Sequence, residues 1–321
     1  MSTKHLVDPD LLPLLDMLPN LDLSDESLTA IREGMATMEV PDFGAADGLP
    51  VTVESRMIDG PQGAGSLRVL IVKPQNAAAN SPGIFHCHGG GYVLARPEGS
   101  LPALRNMVNE LGVVAVSVDY RLSPETTFPG PDEDAYAALK WMSENAAELG
   151  VDADRIGIMG ESAGGGMAAG VALMARDRKG PKIAFQNLLY PMLDDRTVTD
   201  PNPNPVIGEY VWTRPANYFG WKSYLGVEPG SDGVSPYAAP ARAEDLSGLP
   251  PTSISTGSLD LFLDENFDYA QRLIRAGVAV EFFVYPGGFH GFNMSPTADV
   301  GLRSEKQRMD SLRRAVAASA K

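Results

Sequence analysis

The chain has one cysteine, four histidines, fewer basic than acidic residues and no apolar run long enough to cross a bilayer. Each scarcity excludes something. Cys87 has no partner for an internal disulfide, which suits a reducing compartment, and its apolar neighbours make it a small core residue. The 26 Lys and Arg against 41 Asp and Glu leave a net charge of -15 and a pI near 4.7. Such a surface repels phosphates, so no nucleic-acid partner is expected. The longest apolar stretch, Gly164 to Ala175, is too short for a membrane span, and no membrane insertion is expected. The first ten residues have no apolar core of signal-peptide length, which makes the cytoplasm the expected location. His5, His86, His88 and His290 show no HExxH-like pairing, so neither metal nor cofactor is expected. There is no internal repeat and no low-complexity segment.

What the chain does have is a glycine cluster between a strand-like and a helix-like run. Arg155 to Met159 is short and apolar, Gly160-Glu161-Ser162-Ala163-Gly164 follows, and an alanine-rich helix comes next. In a strand-to-helix turn this tight, side chains two residues either side of the serine would collide, so Gly160 and Gly164 carry none. Ser162 is pushed out at the apex, the position of a nucleophile. Glu161 beside it projects elsewhere and is not expected to be the base.

A nucleophilic serine needs a base and an acid. In the fold that uses this turn the order is nucleophile, acid, histidine, and His290 is the only histidine after Ser162. It lies in a glycine-rich loop after a strand-like run. The acid should follow the run at 252–256, where Asp260 and Asp264 compete. Asp264 is well placed to cap a helix carrying Phe267, Ala270, Leu273 and Ile274, which leaves Asp260 for catalysis, with Asp194 and Asp195 as runners-up. On the other side of the serine, His88-Gly89-Gly90-Gly91-Tyr92 follows the strand-like Ile84 to Cys87. Three consecutive glycines leave backbone N–H groups unshielded, as a developing oxyanion requires.

HGGGY at 88–92, YRLSPE at 120–125, GESAGG at 160–165 and FHGF at 289–292 together resemble the hormone-sensitive-lipase-like esterases (bacterial family IV) of the α/β-hydrolase superfamily. The resemblance covers nearly the whole chain. It implies that the N–H groups of Gly90, Gly91 and Ala163 form the oxyanion hole and that His88 orients its loop. It also implies that the acid heads a DPLxD-like motif. Asp260 and Asp264 keep that spacing, with Leu261 in place of the proline.

The periodicity places these motifs on an α/β scaffold. Residues 51–58 and 67–72 alternate as two strands joined by a turn at 59–63, and further strands are expected near 83–87, 113–118, 155–159, 184–189, 252–256 and 279–285. Helical spacing marks Leu101 to Leu111 and Ala135 to Leu149 between them. The expected fold is a mostly parallel eight-stranded sheet flanked by helices, the α/β-hydrolase fold of the resemblance, with ligands at the carboxyl ends of the strands. Residues 1–45 read as amphipathic helices, and 194–250 is longer than a strand-to-strand connection needs. These two segments are expected to form a discontinuous helical cap on a catalytic domain of 46–193 and 251–321. Tyr92, Trp212, Tyr218 and Phe219 are the aromatic residues expected to touch substrate, a small-molecule ester with an acyl group of about two to six carbons, because large rings fill the space: each methylene that fits adds at most about 0.8 kcal/mol, and the first that does not fit costs steric strain instead.

The expected activity is that of a serine carboxylesterase. Amide or lactone hydrolysis on the same triad is the enzymatic alternative. A ligand-binding protein on an inactive hydrolase fold would be expected to have lost part of the triad, and an epoxide hydrolase would carry aspartate at Ser162. The strand near 279–285, last in sequence, could pair with its copy across a two-fold axis to make a homodimer.

Overall fold

The computed structural model describes residues 2–18, 20–37 and 49–320. Alternating and continuous apolar runs give eight strands: β1 (Val51–Asp59), β2 (Ser66–Pro74), β3 (Ser81–Cys87), β4 (Val114–Asp119), β5 (Val151–Glu161), β6 (Gln186–Leu189), β7 (Thr252–Gly257) and β8 (Val280–Tyr285). All eight fall where the sequence periodicity puts them. They form one sheet in the order β1-β2-β4-β3-β5-β6-β7-β8. β2 runs antiparallel to both β1 and β4, and every other pairing is parallel.

The central strands are apolar on both faces because helices cover both. On one face Phe85, Val116 and Ile158 pack with Ala138, Leu139 and Met142 of α4 (Gly130–Glu144) and Met167 and Val171 of α6 (Ala163–Asp177). On the other, Ile84, Ala115 and Met159 meet Leu104, Met107 and Val108 of α3 (Leu101–Leu111) and Leu312 of α9 (Asp299–Ala318). Neighbouring strand residues point to opposite layers, as the pleat requires. Truncating a core side chain such as Leu139 to alanine should cost about 2–5 kcal/mol.

Two departures from the sequence reading have local causes. The helix expected over 135–149 breaks at Asn145, between α4 and α5 (Ala146–Leu149). Asn145 Nδ2 donates to the Trp141 carbonyl at 2.8 Å, offering the backbone an alternative to helix continuation. α9 was not anticipated: its polar length buries only a narrow stripe, including Ser304, Arg308 and Leu312.

The leading segment folds back onto the carboxyl ends of the strands. Leu14 of α1 (Leu12–Met17) joins Val7 and Leu11 in a cluster with Tyr190, Leu259, Phe289 and Phe292. α2 (Asp25–Thr37) starts with a reciprocal cap, Ser24 N–H to Ser27 Oγ at 2.9 Å and Ser27 N–H to Ser24 Oγ at 3.2 Å. Its Arg32 donates to the carbonyls of Val93 and Ser123 and pairs with Glu125 at 2.6 Å, so the YRLSPE segment anchors this helix. The expected boundary between residues 45 and 46 lies outside the described residues. α7 (Arg214–Leu225) has Pro215 in its first turn and stops at Gly226, where φ is 69°. α8 (Leu263–Arg275) connects β7 to β8.

Candidate active site

The carboxyl ends of β3, β5 and β7 and the loop after β8 converge on one point. At the end of β5 the chain turns into α6 through Ser162, whose φ of 57° and ψ of -123° are strained for a residue with a Cβ. The two elbow glycines are fixed by close approach: a Cβ on Gly160 would sit 2.2 Å from the Gly164 carbonyl oxygen, and one on Gly164 would sit 2.1 Å from that of Cys87. The elbow is tied down by Ser162 N–H to Leu189 O at 2.9 Å and by Gly166 and Met192 N–H to Ser162 O at 3.0 and 2.9 Å.

Ser162 Oγ lies 3.0 Å from His290 Nε2, and His290 Nδ1 lies 2.9 Å from Asp260 Oδ2. Asp260 is fully buried, with its second oxygen held by the Phe262 N–H at 2.9 Å. A buried carboxylate can only accept, so it fixes Nδ1 as the donor and leaves Nε2 free to accept from the serine. Asp264 is exposed and reaches Asn204 at 3.3 Å. It is not the N-cap expected for α8: Phe262 occupies that position, and Asp264 lies within the first turn, where a carboxylate still favours the helix dipole. Asp195 is bound by Arg242 at 2.6 Å and Asp194 by Arg196 at 2.8 Å, both engaged away from His290.

The glycine loop stands against Ser162. A Cβ on Gly89 would lie 3.6 Å from Ser162 Cβ. The Gly90 carbonyl accepts from Val93 and Leu94 N–H, which folds the loop into a turn with φ of 115° at Gly90 and 61° at Gly91. Ala163 is the first residue of α6, so its N–H has no acceptor within the helix. His88 stacks on Tyr120 at 4.2 Å and its Nδ1–H donates to the Gly89 carbonyl at 2.8 Å, while Tyr120 Oη donates to the His88 carbonyl at 2.8 Å. Burial holds the His88 imidazole down to about 4, so it is neutral at pH 7. Burial likewise pushes the Cys87 thiol up, as befits a core residue.

The four aromatic residues expected at the substrate divide. Trp212 lies over the loop, its six-membered ring filling the place of a Gly91 Cβ and its centroid 6.4 Å from that of His290. Its indole N–H donates to Asn217 at 3.0 Å. Tyr92 does not reach the centre: its left-handed backbone, φ 65°, turns the ring into the core, where it stacks on Tyr224 at 3.8 Å. Tyr218 is on the outer side of α7, exposed, with its hydroxyl on Glu228. Helical periodicity explains this, since Asn217, Gly220, Trp221 and Tyr224 take the buried face. Phe219 is half-buried and lines, with Tyr218, Leu23 and Pro215, a groove of about 660 Å³ between α2 and α7.

Sequence reasoning missed Tyr190, whose ring packs on His290 at 4.5 Å, and Phe262, edge-on to it at 5.2 Å. Neither belongs to a motif. It also missed that Glu161 is held by His86 Nε2 at 2.9 Å and Arg308 at 3.1 Å. Among the described residues no group of three or more His, Cys, Asp or Glu is placed to hold a metal ion, and no helix is long and apolar enough to cross a membrane.

The chain is similar to known proteins over most of its length. The α/β-hydrolase-fold family matches residues 84–294. Carboxylesterase NlhH of Mycobacterium tuberculosis is 32% identical over 317 residues, covering 97% of this chain and 96% of that protein. Esterase LipI of the same species is 32% identical over 297 residues, covering 90% and 88%. Among solved structures, a bacterial heroin esterase superposes with a TM-score of 0.88 at 39% identity over 98% of this chain and 99% of that one. An esterase from Pyrobaculum calidifontis gives 0.84 at 33% identity over 96% and 98%. A shared family, fold and near-complete coverage leave one placement: the chain belongs to the hormone-sensitive-lipase-like branch of the α/β-hydrolase family and is a carboxylic ester hydrolase.

Proposed function

We propose that the protein is a serine carboxylesterase working on short-chain acyl esters through an acyl-enzyme. The observation that carries this reading is the unbroken line from Ser162 Oγ through His290 to Asp260, with contacts of 3.0 and 2.9 Å. Ser162 Oγ attacks the ester carbonyl as His290 Nε2 takes its proton, and Asp260 holds the ring and stabilises the imidazolium. The N–H groups of Gly90, Gly91 and Ala163 stabilise the tetrahedral oxyanion. Collapse breaks the C–O bond to the alcohol, which leaves with the proton from His290. Water, deprotonated by His290, then attacks the acyl-enzyme and releases the carboxylic acid.

Residues 1–45 and 194–250 act as the cap. Ser162 is 6% exposed and His290 8%, with Trp212 against the oxyanion loop, so there is little space for a long acyl chain. The Ser162→Ala variant should fold and lose on the order of 10⁶ in kcat toward an aryl acetate. Activity above about a hundredth of the parent would refute the reading.

A homodimer is part of the same proposal. β8 is an edge strand with Val284 exposed, and Phe267 and Ile274 of α8 beside it are also exposed. Pairing with a second copy would cover both the open backbone edge and these side chains.

A further inference from the structure

A continuous polar chain runs beneath the site and joins the nucleophile's turn to the base's loop. Glu161 precedes Ser162 in the elbow. One of its oxygens accepts from His86 Nε2–H at 2.9 Å, and His86 Nδ1 meets Ser117 Oγ at 2.7 Å, across the β3–β4 register. The other oxygen accepts from Arg308 Nη1 at 3.1 Å. Arg308 comes from α9, and its Nη2 also donates to Glu305, one turn earlier, at 2.9 Å. Glu305 accepts from Asn293 Nδ2 at 2.7 Å, and Asn293 Oδ1 accepts from Tyr190 Oη at 2.7 Å. Asn293 is three residues past His290, and the Tyr190 ring packs on the imidazole at 4.5 Å. Arg308 is therefore the junction: cut there, the nucleophile and base sides of this chain are held by separate elements.

We propose that the Glu161–Arg308 pair is a positioning and charge-balancing device, fixing the elbow against the base loop and cancelling at His290 the field that either partner alone would impose. The proposal rests on the serine–histidine reading above. Arg308 is 7% exposed at its side chain and Glu161 19%, so water screens neither well. Burial would push the Glu161 carboxyl up, but the charges of His86 and Arg308 outweigh it and hold it at about 2, so it is ionised throughout the working range. Asp260 touches His290 directly and Tyr190 lies against its ring; behind them come Glu161, Arg308, Glu305 and His86, and His88, neutral, flanks the glycine loop. Glu161 disfavours loss of a proton from the imidazolium and Arg308 favours it. With both present the two charges oppose each other, while the hydrogen-bonded chain sets the geometry of the Ser162–His290 contact.

A purely structural role predicts the same response to removing either partner, and a balanced pair predicts opposite ones. In a site this poorly screened, a nearby unit charge gained or lost displaces a titration by roughly one pH unit. The acid limb of kcat/KM for an aryl acetate should thus move down by about one unit in Glu161→Gln and up by about one unit in Arg308→Met. In the double variant it should return to within about 0.3 unit of the parent. Arg308→Lys keeps the charge and loses the fork, so the limb should stay while kcat falls about 10-fold or more with KM little changed, the mark of a misplaced base. Limbs that move in the same direction, or not at all, overturn the proposal. If Arg308→Met does not fold, Glu161→Gln and the double variant carry the same test, because the limb must fall in the first and recover in the second. Ser162→Ala in parallel separates the two levels. Retained activity there sinks the triad reading and this proposal with it, whereas an inactive Ser162→Ala with unmoved limbs refutes the balancing device alone.

Discussion

Asp132, in the first turn of α4, is a fully buried carboxyl whose proton links folding to pH. Its Oδ2 accepts from Tyr224 Oη at 2.5 Å and its Oδ1 has no partner. Burial raises it from 3.8 to about 7, the Tyr224 hydrogen bond working in the opposite direction. Between those values the native state keeps a proton that the unfolded chain has released. Stability from this group is therefore greatest below about pH 4 and is lost as pH rises through about 7. A shift of about three units at 1.36 kcal/mol each makes this about 4 kcal/mol. His88 acts the other way. Its imidazole is held down from 6.5 to about 4, so its contribution rises by about 3 kcal/mol over that window and masks the Asp132 effect in the parent. Asp132→Asn isolates it, since the amide can still accept from Tyr224 and has no proton to lose. Urea unfolding of parent and variant at intervals from pH 4 to pH 8 gives a difference in which His88 cancels. That difference should swing by about 4 kcal/mol in favour of the variant. A difference independent of pH would show that Asp132 is ionised in the folded state and refute the reasoning.

Asp260→Asn should cost about 10⁴ in kcat with little change in stability, whereas Asp264→Ala should keep nearly full activity and lose at most about 1 kcal/mol; kinetics and denaturation on both decide which aspartate serves His290. Trp212→Ala removes the ring beside Gly91 and should move the acyl-length optimum of an aryl ester panel upward by several carbons, and an unchanged optimum would place the acyl pocket elsewhere. Light scattering at micromolar concentration should give twice the 34.2 kDa chain mass, with Val284→Lys on the exposed edge of β8 restoring the monomer; a monomeric parent contradicts the dimer.

How much of this was legible in the sequence follows from what kind of constraint each feature obeys. The strands were legible because burial on both faces makes their apolar runs continuous, as in β3 and β4. Ser162 and its glycines were legible because the elbow admits no side chain at 160 or 164. The pairing of His290 was legible by chain order, and that of Asp260 by its place after β7 and the DPLxD-like spacing of the resemblance, although the cap expected of Asp264 falls to Phe262. The direction of the aromatic side chains was not legible. Tyr92 follows three glycines, and only a left-handed backbone decides that its ring turns inward, while Tyr218 and Trp221 belong to one aromatic run and take opposite sides of α7. The polar chain through Arg308 was also invisible, since it joins β3, β4, the elbow, the base loop and a C-terminal helix whose pattern is mostly polar. Contacts between elements so far apart in sequence leave no local period to read.

The central claim is that Ser162 is the nucleophile, and covalent trapping tests it most directly. A p-nitrophenyl alkylphosphonate resembles the tetrahedral state of ester attack and leaves a stable adduct on an activated serine. Incubation should release one equivalent of nitrophenol per chain and abolish ester hydrolysis in step, and peptide mass spectrometry should find the phosphonyl group on Ser162. The Ser162→Ala variant should stay unlabelled. An adduct on another residue, or hydrolysis that survives full modification of Ser162, would contradict the account.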